Sequence, residues 1–424
     1  MHFGQYVRIC LGTFIISHFL ALQYRKHAYS YTFSASSTVR QGFTKFSLLF
    51  NSMILIYKKM RILFKIKMLQ LLLLQSRFGC KMIPTFLSYF KVHENAVLKI
   101  LPLVAFAVPL LWLYLLQPGS FELMWKGRTF QLFFIWLIAL ELILGWESLQ
   151  PQKSASPFSA KSLGLKIAVL LPTLYVVIAN YLGLNAAITE VAKQNGITWW
   201  DTMALSTEYL VFAALICLII SLKFGKKGLK DFSVPIVFLG IVGAIYMIDN
   251  VFPYGQFTPF QLLVPTTATL AASALNLMGY QTSLVVSDAM PRLTATNPAN
   301  HLQTATFDIA WPCAGIESLL IFTAVAALFL KRMNISLKAK IAYFAVGVAV
   351  TYGINILRIA TIFSIGVTGA SIDSFHSYYG PLYSIMWIVS YPLLILGSQT
   401  LWQKITNKNS SATVKPQPSQ LSLA

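Results

Sequence analysis

Residues 98–403 repeat one pattern, apolar stretches of 17 to 25 residues separated by short polar breaks. A helix of about 20 residues crosses a hydrocarbon core about 30 Å thick. Within that core every backbone N–H and C=O must find its partner in the chain itself, so a bilayer-spanning segment of this length folds as a helix. The bilayer is therefore the expected solvent. Composition agrees, with 56% of residues hydrophobic and 11% charged, against about a quarter charged in soluble chains. A cytosolic globular enzyme, a disordered chain, a collagen and a coiled coil are excluded. The formal net charge of +20 is read as orientation and membrane-surface charge rather than as a nucleic-acid footprint. No nucleic-acid partner is expected.

Spans are read at about 98–116, 129–147, 165–184, 206–223, 233–251, 314–330, 341–365 and 381–400. The fold class is thus an all-α integral membrane protein with about eight transmembrane helices. Lysine and arginine cluster at Lys223–Lys230, at Lys331–Lys340, at Lys404 and Lys408, and in the loop 153–166. With eight spans these clusters share one side, and the positive-inside rule makes both termini cytoplasmic. The outer loop 118–128, which carries Lys126 and Arg128, runs against the rule.

The stretch 258–277 is rich in Thr, Ser, Gln and Pro. Counting it as a ninth span would break the parity, so it is read as an external or re-entrant amphipathic helix. Residues 252–312 then form one external block. Within it YQTSLVVS (280–287) and TATFDIAW (304–311) have strand composition and read as a small β-hairpin.

Residues 1–93 hold thirteen Lys or Arg and no Asp or Glu, with no apolar run long enough to span. This basic extension is read as an arm on anionic lipid, as a targeting segment, or as sequence upstream of a start near Met82. The polytopic domain is placed at 94–405. The Ser-, Pro- and Gln-rich segment 406–424 is read as a disordered cytoplasmic tail.

Three residues stand out chemically. Cys313, in WPCAGIESLLIF, sits at the start of the sixth span, where unpaired N–H groups and the helix dipole favour a thiolate. Cys217, among Leu and Ile in the fourth span, reads as packing. Arg358 is the one charge in IAYFAVGVAVTYGINILRIATIFSI. Such a residue faces a partner or a wet site by default, with snorkelling as the alternative. Asn355 shares its face. His376, in SIDSFHSYYGP, precedes the eighth span, and Asp373 either orients it or caps the loop.

Depth joins them. Cys313 lies 18 residues from Lys331, and Arg358 lies 18 residues from Lys340. At 1.5 Å per residue both are about 27 Å above their basic anchors, so all three reach the outer interface. There Cys313 can attack an amide carbonyl, Arg358 can hold the developing oxyanion, and His376 can move the protons. Glu317, one turn below Cys313, reads either as a structural partner of Arg358 or as a helix-end charge.

The order CAGIES, NILR, FHSYYG on successive elements resembles the exosortase/archaeosortase family. These are membrane-embedded cysteine transpeptidases, whose members commonly read Cys-Ser-Gly-Ile where this chain has Ala314. The motif likeness covers about 308–380 and the topological likeness about 98–403. The resemblance implies Cys313 as nucleophile, Arg358 as its transition-state partner and His376 as acid/base. It implies secreted protein substrates with a short C-terminal motif, a transmembrane helix and a basic end. It also implies an acceptor such as a membrane lipid amine, with water as the simpler alternative.

Three other readings compete. A polytopic transporter would use Arg358, Glu141, Glu208 and Glu317 as pathway charges. A different membrane transferase, or a non-catalytic assembly factor, would leave Cys313 without a chemical task. No cofactor and no metal are expected, since no His, Cys and Asp cluster has ligand spacing.

Overall fold

The structure is a computed structural model that describes residues 83–122, 126–151, 159–253, 257–286, 290–372, 375–376 and 380–412. The basic extension 1–93, apart from the helix that begins at Ile83, lies outside the described residues. So do Asp373 and the tail beyond Ala412. The principal helices are α1 (Ile83–Leu116), α2 (Thr129–Gly145), α3 (Ala160–Tyr181), α4 (Leu184–Gln194), α5 (Met203–Asp231) and α6 (Ser233–Val251). They continue as α7 (Val264–Leu277), α8 (Ile316–Arg332), α9 (Leu337–Val367) and α10 (Gly380–Ala412).

The protein is an all-α membrane protein with one small sheet. Each of the eight expected spans falls on a helix, and six of these helices are long and apolar enough to cross a membrane by length and composition. The other two, α2 and α8, have 17 residues each, about 25 Å and the short end of the spanning range. The stretch 258–277 breaks into a short turn at Thr258–Gln261 and the 14-residue α7, too short to span. Helix α10 runs on to Ala412, into the segment read as a tail.

The chain falls into two compact units. One comprises Met1–Leu115, Gly145–Ala187 and Leu218–Leu229. Within it the Trp112 indole donates to the Tyr181 hydroxyl at 3.1 Å, tying α1 to α3. The other comprises Leu116–Leu144, Ile188–Cys217 and Lys230–Ala424, and every candidate residue lies in it.

In this second unit three antiparallel strands, β1 (Gln281–Val285), β2 (Arg292–Asn297) and β3 (Asn300–Asp308), pair in chain order. The two stretches read as a hairpin are therefore not partners: each pairs with β2 between them. RLTATN, bounded by Pro291 and Pro298, looks like a loop in sequence. It becomes a strand because Leu293 and Ala295 are fully buried while Thr294 and Thr296 face outward, bonding Thr306 and Thr304. The inner face packs on Ala268, Ala271 and Leu275 of α7 and on Ile359, Phe363 and Val367 of α9.

The opposite end of this unit is basic. Glu141 of α2 is fully buried and accepts from Lys331 Nζ at 3.0 Å and Arg332 Nη2 at 2.6 Å, both on α8. Removing one partner of a buried ion cluster strands the others. Glu141→Ala is therefore expected to lower unfolding stability by about 3 kcal/mol, measured as the thermal midpoint of the full chain in detergent. Surviving protein should keep its site chemistry, since Glu141 is far from it along the helices.

Candidate active site

Cys313 is not in the first turn of α8, as its place in the sequence suggests. Pro312 and Gly315 set it on a separate 3-10 turn, Trp311–Ala314, entered from Ala310 in extended conformation and closed by Gly315 in the left-handed region at φ 91°. Three hydrogen bonds fix the backbone of this turn. Cys313 N donates to Ala310 O at 3.0 Å. Cys313 O accepts from Asn355 Nδ2 of α9 at 3.0 Å. Ala314 O accepts from Thr267 Oγ1 of α7 at 3.4 Å, and that hydroxyl is hydrogen-bonded to Tyr352 OH at 2.7 Å.

The tightness explains Gly315. A Cβ there would meet Asn355 Nδ2 at 2.9 Å and Asn355 Cγ at 3.0 Å, and the φ itself disfavours an L side chain. Gly315→Ala is expected to cost about 1–3 kcal/mol and to break the Asn355 bond to the cysteine turn. Activity should then fall at least as much as the folded fraction, read by precursor processing beside a thermal melt.

Arg358 lies one turn beyond Asn355 on α9. Its Nη2 donates to the carbonyl of His376 at 3.3 Å, while its Nε is buried without a hydrogen-bond partner. Gly380, the first residue of α10, lets the guanidinium in, since a Cβ there would lie 2.6 Å from Nε. The Arg358 charge acts electrostatically on the Cys313 sulfur, and so does Glu317. One face of α9 thus holds the cysteine turn through Asn355 and the His376 segment through Arg358. His376 itself is exposed, its N–H donating to Ile372 O at 2.7 Å.

Burial pushes the Cys313 thiol above its ordinary value, with Arg358 pulling it back. The helix-start argument does not fit this geometry, because Cys313 sits on a separate 3-10 turn with Ala314 and Gly315 between it and Ile316, the first residue of the helix. The thiolate is thus less favoured here than on a free cysteine. Glu317 Oε1, in the first turn of α8, is buried with no hydrogen-bond partner. Among the described residues no group of three His, Cys, Asp or Glu is placed to hold a metal ion.

Two of the four charges that a transport pathway would use, Glu141 and Glu208, are engaged in ion pairs away from the site. Glu141 holds Lys331 and Arg332. Glu208 takes both Arg128 Nε and Nη2, at 2.8 and 3.0 Å, and accepts from Gln131 as well. Two residues beside the site carry no sequence motif. Asp249 of α6 accepts from the Trp311 indole at 2.8 Å and pairs with Lys126 at 2.7 Å. A lone acid in the apolar helix IVFLGIVGAIYMIDN was the available signal for Asp249.

Fold and site together define a multi-pass helical membrane protein with a thiol presented at the helix ends next to an arginine. A family model described as a transmembrane exosortase matches residues 124–395, more than half of the chain and the whole of the candidate site. The chain belongs to the transmembrane exosortase family, and in broad terms it is a membrane transpeptidase. No curated protein and no solved structure matches it.

Proposed function

We propose that this chain cleaves the C-terminal sorting signals of secreted surface proteins and transfers them to an acceptor, with Cys313 as nucleophile. The observation that carries the reading is the arrangement on α9. Asn355 holds the cysteine turn, and Arg358, one turn on, acts on the sulfur while gripping the His376 backbone. The substrate is a precursor ending in a short motif, a transmembrane helix and a basic segment. Its helix lies among the spans, which sets the scissile peptide at the sheet end of α8 and α9.

In the first step the Cys313 sulfur attacks the scissile carbonyl carbon as its proton passes to His376. The negative oxygen that forms is held by Arg358, whose charge never leaves it. His376 then returns the proton to the leaving nitrogen, the C–N bond breaks, and a thioester remains on Cys313. In the second step an amine or a water gives its proton to His376 and attacks the thioester carbon, and the thiol is regenerated. A membrane lipid with an amine headgroup is the acceptor this site would meet most often.

The basic residues at the far end of the bundle, Lys331, Arg332, Lys338 and Lys340, support cytoplasmic termini and an outward-facing site. A membrane-impermeant thiol reagent added to intact cells tests this. Cys313 should be modified from outside, faster as pH rises, because the thiolate is the reactive form and burial pushes the thiol above its ordinary value. Modification only after the membrane is broken would reverse the orientation. Intact masses of the processed proteins would name the acceptor, since the mass added to the new C-terminus distinguishes a lipid amine from water.

A further inference from the structure

Asp249 is fixed from two directions. Lys126 reaches it from the segment before α2, Nζ to Oδ2 at 2.7 Å, with both side chains less than a tenth exposed. The Trp311 indole reaches it from the cysteine turn, Nε1 to Oδ1 at 2.8 Å. Trp311 is itself 3% exposed and lies two residues before Cys313.

The Lys126 end is unusual. Among the described residues Lys126 is the only non-glycine with positive φ, at 52°. A side chain held in that region needs surroundings that enforce it. They are present: Arg128 binds Glu208 through both Nε and Nη2, Arg128 N donates to Ser120 O at 2.7 Å, and Tyr209 OH donates to Gly127 O at 2.7 Å. The Trp199 ring lies 4.5 Å from the Lys126 nitrogen. Burial lowers the Lys126 ammonium below its ordinary value, and Asp249 works against that shift.

A buried ion pair stabilises a fold no better than well-packed apolar side chains would. Stability alone therefore does not account for a strained lysine beside a buried acid. What the pair does, and apolar packing could not, is offer one oriented acceptor to the Trp311 indole. The indole bond adds one oriented contact to a four-residue turn that is also held by hydrogen bonds to its backbone and by the packing of Trp311, Cys313 and Ala314 in the apolar core.

We propose that Lys126 and Asp249 are positioning residues for Cys313, acting through the Trp311 indole to aim the sulfur at the scissile carbonyl. The inference rests on the reading of Cys313 as nucleophile. Misplacing a reacting atom by about 1 Å can cost about a hundredfold in rate.

The test uses the full chain in lipid nanodiscs, with the precursor that accumulates in Cys313→Ala cells as substrate. Trp311→Phe removes the donor and keeps the ring. Its kcat should fall at least about tenfold with KM within about twofold, while iodoacetamide still alkylates Cys313. Two double variants separate aim from folding: Lys126→Met with Asp249→Asn, and Lys126→Met with Asp249→Leu. Both remove the buried charges, but only the first leaves an oxygen for the indole, so it should retain kcat several-fold better at equal thermal stability. Wild-type kcat in Trp311→Phe, or equal kcat in the two double variants, would overturn the positioning role. If Cys313→Ala itself turned over precursor, the nucleophile reading would fall instead, whatever Trp311→Phe did.

Discussion

Cys313→Ala should stop processing altogether, with helix-bearing precursors accumulating at the membrane. The expected fall in rate is at least about a thousandfold, because loss of a covalent nucleophile leaves only binding and oxyanion stabilisation behind. Folding should survive the change. The turn is held by backbone bonds to Asn355 and Thr267, and by the Trp311 indole, none of which involves the sulfur. Cys313→Ser should behave almost the same, since an alcohol in that half-buried place has no base close enough in strength to activate it. A precursor cleaved at the normal rate in either variant would return the chain's thiol to the status of Cys217, a packing residue of α5.

Arg358→Ala carries the second large effect, about a hundred- to a thousandfold in kcat. Two losses add. The oxyanion loses its cation, and the thiol loses the charge that opposes burial. The sign follows directly: Arg358 lowers the Cys313 value, so removing it raises that value further and leaves less thiolate at any given pH. Alkylation of Cys313 near pH 7.5 should therefore slow, and its pH profile should move to higher pH. Arg358→Lys should not restore wild-type rates. An ammonium is a point charge on a shorter reach, without the planar fork that sets two N–H groups at fixed directions toward the His376 carbonyl and an oxyanion. A change in KM alone would mean that Arg358 only helps to bind substrate.

The fold was legible wherever hydrophobic length decided it. All eight stretches are helices because an apolar segment of about 20 residues satisfies its backbone within itself only as a helix. The strand Arg292–Asn297 was not legible, since its alternation uses only Leu293 and Ala295 between two prolines and its inner face is defined by α7 and α9. The basic outer loop looked like a departure from the positive-inside rule for a related reason. Lys126 and Arg128 are each neutralised by a buried acid, Asp249 and Glu208, more than 75 residues away in sequence, a pairing no local pattern displays.

At the site, counting residues from the basic anchors placed Cys313, Arg358 and His376 at one end of the bundle. It could not show that Gly315 separates Cys313 from its helix, so that the cysteine lies on a 3-10 turn of its own. Nor could it find Trp311 as a tether. That residue reads as an interfacial aromatic until its indole is seen on Asp249.

The most direct test looks for the covalent intermediate. Wild-type protein, full length in nanodiscs made without amine-headgroup lipid, is mixed with the accumulated precursor and quenched in acid during the first turnover, and the Cys313 peptide is weighed. A thioester-linked substrate fragment on Cys313, released by neutral hydroxylamine and absent from Cys313→Ala protein, is the predicted result. Precursor cleaved by wild-type protein with Cys313 carrying no adduct at any quench time would contradict the account.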